Sequence, residues 1–121
     1  MEITVLNRRN KIRISKKWIR EQARKILRAN KARGDLNIVV SDNKYIRKYN
    51  RRYHYRDRIT DVLSFHGEGG TIGDIIISAE RAKSQAGKYG NSFPGEMRTL
   101  IRHGILHLLG YTHREMKSLP V

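Results

Sequence analysis

A chain of 121 residues with 38% hydrophobic side chains can fill one core and is too short for two full domains, so residues 1–121 read as a single domain. No run approaches the ~20 apolar residues of a membrane helix, and the absence of cysteine excludes disulfide-linked partners and thiolate metal ligands. Against 11 acids stand 26 Lys and Arg, a net charge of +15 whose field draws polyanions by counterion release and favours nucleic acid over an anionic membrane surface.

In chain order, Ile3 to Leu6 reads as a short strand, and its start lacks the basic and apolar run of a signal peptide, which predicts a soluble, unprocessed, cytoplasmic protein. Ser15 caps a helix carrying Trp18, Ile19, Ala23, Ile26 and Leu27 at helical spacing, with Gly34 as its stop. Leu36 to Val40 is a β-branched strand, and the strand–helix–strand order predicts a right-handed crossover and a parallel pair. Ser41 or Asp42 caps a second helix with Tyr45, Ile46, Tyr49 and Tyr53 on one face, where core packing is the stronger reading and base stacking the weaker. Val62 to Phe65 and Ile72 to Ile77 flank the glycine-rich His66–Gly70 segment and form a hairpin. Ser78 opens a third helix ending near Gly87 or Gly90. Pro94 and Gly110 mark the start and stop of a fourth. The expected class is α+β, with a small mixed four-stranded sheet and about four helices.

Three of the five histidines fall between residues 103 and 113. Four helical residues rotate about 400°, so His103 and His107 share a face with Cβ atoms ~5–6 Å apart. Gly110 then lets the chain leave the helix and return His113 as a third ligand. Imidazole-only ligation suits one Zn²⁺ ion, although another divalent transition metal such as Ni²⁺ or Cu²⁺ fits the same donors. Three protein ligands leave a fourth position for water, whose pKa falls to ~7 on zinc. His66 is a lesser candidate for that position, since a loop histidine is more often solvated. A zinc peptidase carries its general base directly after the first histidine, where this chain has Gly104. Glu96 is seven residues back, about 10 Å along the helix, and cannot replace it.

The run H-G-x-L-H-L-x-G-Y-x-H closely resembles that of the YbeY family of metal-dependent endoribonucleases. Support comes from Thr60-Asp61-Val62-Leu63-Ser64-Phe65, followed by Ile72-Gly73-Asp74-Ile75. The resemblance runs from about Asn50 to His113. It implies a zincin-like site with zinc on His103, His107 and His113. It further implies cleavage of single-stranded RNA, a role in maturing the 3′ end of small-subunit ribosomal RNA, and ribosome quality control with ribosomal subunits as partners.

Three positions depart from that pattern. Thr112 stands where the family usually has Asp, which would orient a ligand or the water as a carboxylate. His54 stands where the family commonly has a functional arginine after the tyrosine, with Arg56 two residues later, so Arg56 or His54 is the candidate catalytic group. Family members also usually continue into another helix, whereas eight residues follow His113.

The resemblance and the charge together predict hydrolysis of an RNA phosphodiester by metal-bound water, with Arg56, or less well Arg58, stabilising the phosphate oxygens. Arg51, Arg52, Arg98 and Arg102 are candidates for flanking phosphates, with a solvated helix face as the plain alternative. Asp61 and Asp74 receive no firm role. The alternative function is a non-catalytic RNA-binding ribosome-assembly factor with a structural zinc, and a peptidase-like metalloprotein ranks third.

Overall fold

Alternating apolar residues build the first parallel pair. In strand β1 (Ile3–Arg8) Ile3 and Val5 are buried, and they lie beside Leu36 and Ile38 of strand β2 (Asp35–Ser41). The computed structural model describes residues 1–118, apart from the side chains of His113, Lys117 and Ser118.

Between the two strands runs helix α1 (Lys16–Ala29), started by the Ser15 hydroxyl, which accepts the Trp18 N–H at 3.1 Å. The helix stops before Gly34. Asn30 ends it, because its Nδ2 donates to the Ile26 carbonyl at 2.8 Å and its backbone N–H reaches the Ile26 and Leu27 carbonyls. Gly34 serves a different need. Its φ is +137°, and a Cβ there would stand 2.8 Å from the Ile72 side chain and 2.9 Å from the Gly70 carbonyl.

Helix α2 (Asn43–His54) is capped by Asp42, not Ser41, through a 2.8 Å bond from the Tyr45 N–H. Strands β3 (Val62–His66) and β4 (Thr71–Ser78) form the expected antiparallel hairpin, with His66 opposite Gly73. Because β4 also pairs in parallel with β2, the mixed sheet has the order β1-β2-β4-β3 and β3 lies at its edge. Ser78 caps helix α3 (Ala79–Tyr89), which ends at left-handed Gly90. Ser92 caps helix α4 (Phe93–Leu108), with Pro94 in its first turn.

A fifth helix, α5 (His113–Ser118), exceeds the expected four. Its start is a reciprocal cap: the Thr112 hydroxyl accepts the Glu115 N–H at 3.1 Å, while the Glu115 carboxylate accepts the Thr112 N–H at 3.1 Å. Met116, only 7% exposed, gives this short helix an apolar anchor.

Strand alternation divides the sheet into two unequal faces. Ile38, Ile75 and Ile77 point to α1 and α4, where they join Ile19, Leu27, Met97, Ile101 and Ile105 in the main core. Ile76 and Leu63 point the other way, to Ile46 of α2 in a much smaller cluster. At ~1.5–3 kcal/mol per fully buried large aliphatic side chain, the α1–α4 face carries most of the fold's stability. The α2 face is covered by the smaller cluster alone. No helix among the described residues is long and apolar enough to cross a membrane.

Candidate active site at the sheet edge

The second half of α4 lies against β3 and β4 because one residue of the helix has no side chain. A Cβ on Gly104 would meet three carbons of Ile75 at 3.0–3.2 Å. With Gly104 turned to the sheet, the Ser64 hydroxyl donates to the Gly104 carbonyl at 3.3 Å and ties α4 to the edge strand. Ile101, Ile105 and Leu108 are buried on the same packing. His103, one residue before Gly104, is half-buried, and His107, one turn on, is exposed.

The edge strand adds a third imidazole. Strand alternation places Ser64 and His66 on the α4 face of the sheet, and the His66 ring centroid is 6.1 Å from that of His107, with the planes inclined by 36°. His66 was the lesser candidate in sequence because it borders a glycine-rich loop. The hairpin extends the strand through it and delivers it to the helix.

Gly110 performs the expected turn. At φ +93° it donates to the His107 carbonyl at 3.1 Å, and Tyr111 donates to the Leu106 carbonyl at 3.0 Å, the paired bonds of a Schellman stop. The capping pair at Thr112 and Glu115 follows, so the backbone of α5 begins at His113. Thr112, read in sequence as a lost carboxylate, thus has a role in starting a helix. The His113 side chain lies outside the described residues. Among the described residues no three His, Asp or Glu side chains stand together as a ready cation cage. The described donors nevertheless suit a transition metal: two imidazoles one turn apart on α4, a third nearby, and no thiolate in the chain.

On the other face of β3 lies the end of α2. The His54 ring is 5.4 Å from Phe65 and the Tyr53 ring 5.6 Å from it, edge on. His54 therefore reaches the strand residue beside His66, but from the opposite side of the sheet. Arg56 is exposed in the following loop, and its backbone N–H donates to the Asn50 carbonyl at 3.3 Å. Asn50, 3% exposed, also donates from Nδ2 to the Arg58 carbonyl at 3.0 Å. Asn50 is the residue that sequence reasoning missed. Its signal was an amide one turn after Ile46, where the buried face of α2 has no reason to be polar unless the amide holds backbone.

The remaining candidates divide clearly. Arg51, Arg52 and Arg98 are exposed, with the Arg52 guanidinium 5.6 Å from the Tyr53 ring centroid, and Arg102 is half-buried. Asp61 accepts from Gln85 Nε2 at 3.3 Å, and Asp74 accepts from Asn37 Nδ2 at 2.8 Å. Buried Glu96 accepts from Asn91 Nδ2 at 3.3 Å. Each of these carboxylates has a structural partner. Of the tyrosines, Tyr45 and Tyr49 are half-buried as expected of packing, whereas Tyr53 is 52% exposed. Burial, and then the hydrogen bond with Tyr49, push the Tyr45 phenol up to about 12. A hydrogen bond from Arg47 holds the exposed Asp57 carboxyl below its ordinary range.

Comparison with known proteins gives the family and the fold. The family profile for "Endoribonuclease YbeY" matches residues 4–119. A protein of that name from Petrotoga mobilis is 40% identical over 122 residues, spanning 98% of this chain and 85% of its own. Another, from Carboxydothermus hydrogenoformans, is 45% identical over 92 residues, covering 73% of this chain and 64% of its own. Among solved structures, the solution structure of a Thermotoga maritima protein superposes with a TM-score of 0.66 at 27% identity, over 92% of this chain and 74% of that one.

Proposed function

The chain belongs to the endoribonuclease YbeY family, and from that premise we propose that it is a zinc-dependent endoribonuclease that cuts single-stranded RNA. Its substrate in this reading is ribosomal RNA, at the 3′ end of the small-subunit RNA. Ribosomal subunits are its partners in maturation and quality control, and the cytoplasm is its compartment.

The observation that supports the reading is the seating of α4 on Ile75 through Gly104, with His107 of that helix 6.1 Å from His66 of β3. His103, His107 and His113 would hold the ion. When bound, it would supply a water of lowered pKa and an electrophile for a phosphoryl oxygen. Arg56 stabilises charge on the phosphate oxygens, with His54 the alternative, while Arg51, Arg52, Arg98 and Arg102 hold flanking phosphates.

The test is cleavage of single-stranded RNA by zinc-loaded protein beside His107→Ala. Cleavage that disappears in the variant and with chelator is the expected result, and a 2′,3′-cyclic phosphate product would instead mean attack by the RNA's own 2′-hydroxyl. One observation favours the alternative of a non-catalytic assembly factor with a closed structural zinc. His66 stands 6.1 Å from His107 and offers a fourth imidazole. Zinc-loaded protein that binds RNA tightly and never cuts it would establish that reading.

A further inference from the structure

The face of α2 away from the sheet carries Lys44, Arg47, Lys48 and Arg51 at i, i+3, i+4 and i+7, one stripe of four cations. At the start of this stripe the chain between β1 and α1 turns through Arg9, a non-glycine residue at φ +62°. Arg9 approaches the capping Asp42, with Nε 3.8 Å from Oδ2. Together with Tyr45 these residues enclose an open cavity of about 560 Å³, and Asp57 is the one acid on its wall. That acid is already engaged by Arg47 at 2.9 Å. Five cations around one concavity repel one another, and two carboxylates, Asp57 at Arg47 and Asp42 at Arg9, do not balance them. A polyanion would.

From the cavity a line of rings runs along the α2 face of the sheet as far as Phe65. Tyr45, on its wall, is 4.8 Å from Tyr49, which stacks on Tyr53 at 5.7 Å. Tyr53 meets Phe65 at 5.6 Å, and there the line ends, because the next residue, His66, turns to the opposite face of the sheet, 6.1 Å from His107. Tyr53 is 52% exposed, with Arg52 beside it, so one member of the line offers a π-face to solvent. Cations that follow a backbone and a ring that receives a base are the two parts of a site for single-stranded nucleic acid.

We infer that the α2 cavity is a second RNA site, set back from the scissile bond, in which Arg9, Lys44, Lys48 and Arg51 grip the sugar-phosphate chain while Tyr53 stacks a base. The inference rests on the endoribonuclease reading and adds where the substrate is held. Arg51 lies three residues before His54 and Lys44 ten, so the grip runs from about 5 to about 15 Å back from the end of α2 nearest the edge strand. The site therefore favours RNA long enough to reach both places over a short fragment confined to the histidines.

The test is equilibrium binding of a single-stranded RNA by His107→Ala protein, which would not cut it, as salt is varied. Two comparison proteins carry Lys44→Ala with Lys48→Ala, or Lys17→Ala with Lys25→Ala. The second pair removes the same charge from exposed positions on α1, across the sheet. Loss of two phosphate contacts lowers the slope of log affinity against log salt by about 1.4, a weakening of about 25-fold at 0.1 M relative to 1 M salt. That loss is expected for the α2 pair and not for the α1 pair. Tyr53→Leu should weaken binding without changing the salt slope. Equal losses in both lysine pairs would reduce the cavity to a share of the general field and overturn the inference. Anionic phosphatidylserine vesicles that bind through the same two lysines and displace RNA would reassign the cavity to membranes. Absence of RNA binding by the parent protein would instead sink the endoribonuclease reading itself.

Discussion

A methyl group on residue 104 would stand 3.0 Å from two carbons of Ile75, a fully buried β-branched side chain with little room to turn. Gly104→Ala gains about 1 kcal/mol in helix propensity and loses about 1–3 kcal/mol to overpacking, so a net loss of up to about 2 kcal/mol is expected. A urea titration checks it: the midpoint should fall at unchanged slope. Thr112 makes a complementary case. Thr112→Ala removes the acceptor for the Glu115 N–H and should cost about 1 kcal/mol, whereas Thr112→Asp should retain the cap. Thermal unfolding of the two variants distinguishes them. At this scale the sequence was legible where backbone geometry depends on a residue type, as at Gly110, whose positive φ ends α4. It was misleading at Thr112, where comparison with a family pattern drew attention to a missing carboxylate and away from the T-x-x-E run that starts a helix.

Within elements, α2 shows how much one polar residue can organise. Asn50 holds the loop at two points, through its own carbonyl to the Arg56 N–H and through its amide to the Arg58 carbonyl. Asn50→Leu keeps the size and the helix but abandons Arg58, at about 1–2 kcal/mol. If Arg56 acts on the phosphate, kcat should fall at least ten-fold with RNA affinity nearly unchanged, which single-turnover kinetics would resolve. The tyrosines of the same helix predict a pH response. The Tyr45 phenol ionises near 12 in the fold, against an ordinary value of 10.0, so the folded state keeps a proton that the unfolded chain releases first. Its contribution to stability is therefore whole below pH 10 and is lost as pH climbs toward 12. Denaturant unfolding across pH 9–12 should show that decline, and Tyr45→Phe should flatten it. Helical periodicity revealed which face of α2 was apolar, but it did not separate half-buried Tyr45 and Tyr49 from exposed Tyr53. That difference depends on where the sheet ends beneath the helix.

For the molecule as a whole, a net charge of +15 faces little internal compensation. Its ion pairs include Arg9–Asp42 and Arg47–Asp57, the latter between exposed groups, while 26 Lys and Arg stand against 11 acids. The folded chain is thus strained by its own field, and moderate salt should relieve it. The melting temperature is expected to rise between about 20 and 200 mM NaCl, where the Debye length shortens from roughly 20 Å to under 10 Å. A melting temperature that falls over that range would mean the visible ion pairs outweigh the repulsion. The mixed sheet was readable because β1-α1-β2 demands a parallel pair and the glycine-rich hairpin an antiparallel one. The strand order was not, since placing β4 between β2 and β3 is a long-range choice made by the core.

The seating of α4 on Ile75 also bears on what this scaffold can become. A single nucleotide change turns a glycine codon into one for glutamate, and at residue 104 it would write the H-E-x-x-H of a zinc peptidase. Here that side chain would enter the main core, with a carboxylate pressed onto an isoleucine and no partner to neutralise it. The two chemistries are neighbours in sequence space but are separated by an unfolded intermediate, unless the sheet first retreats from the helix.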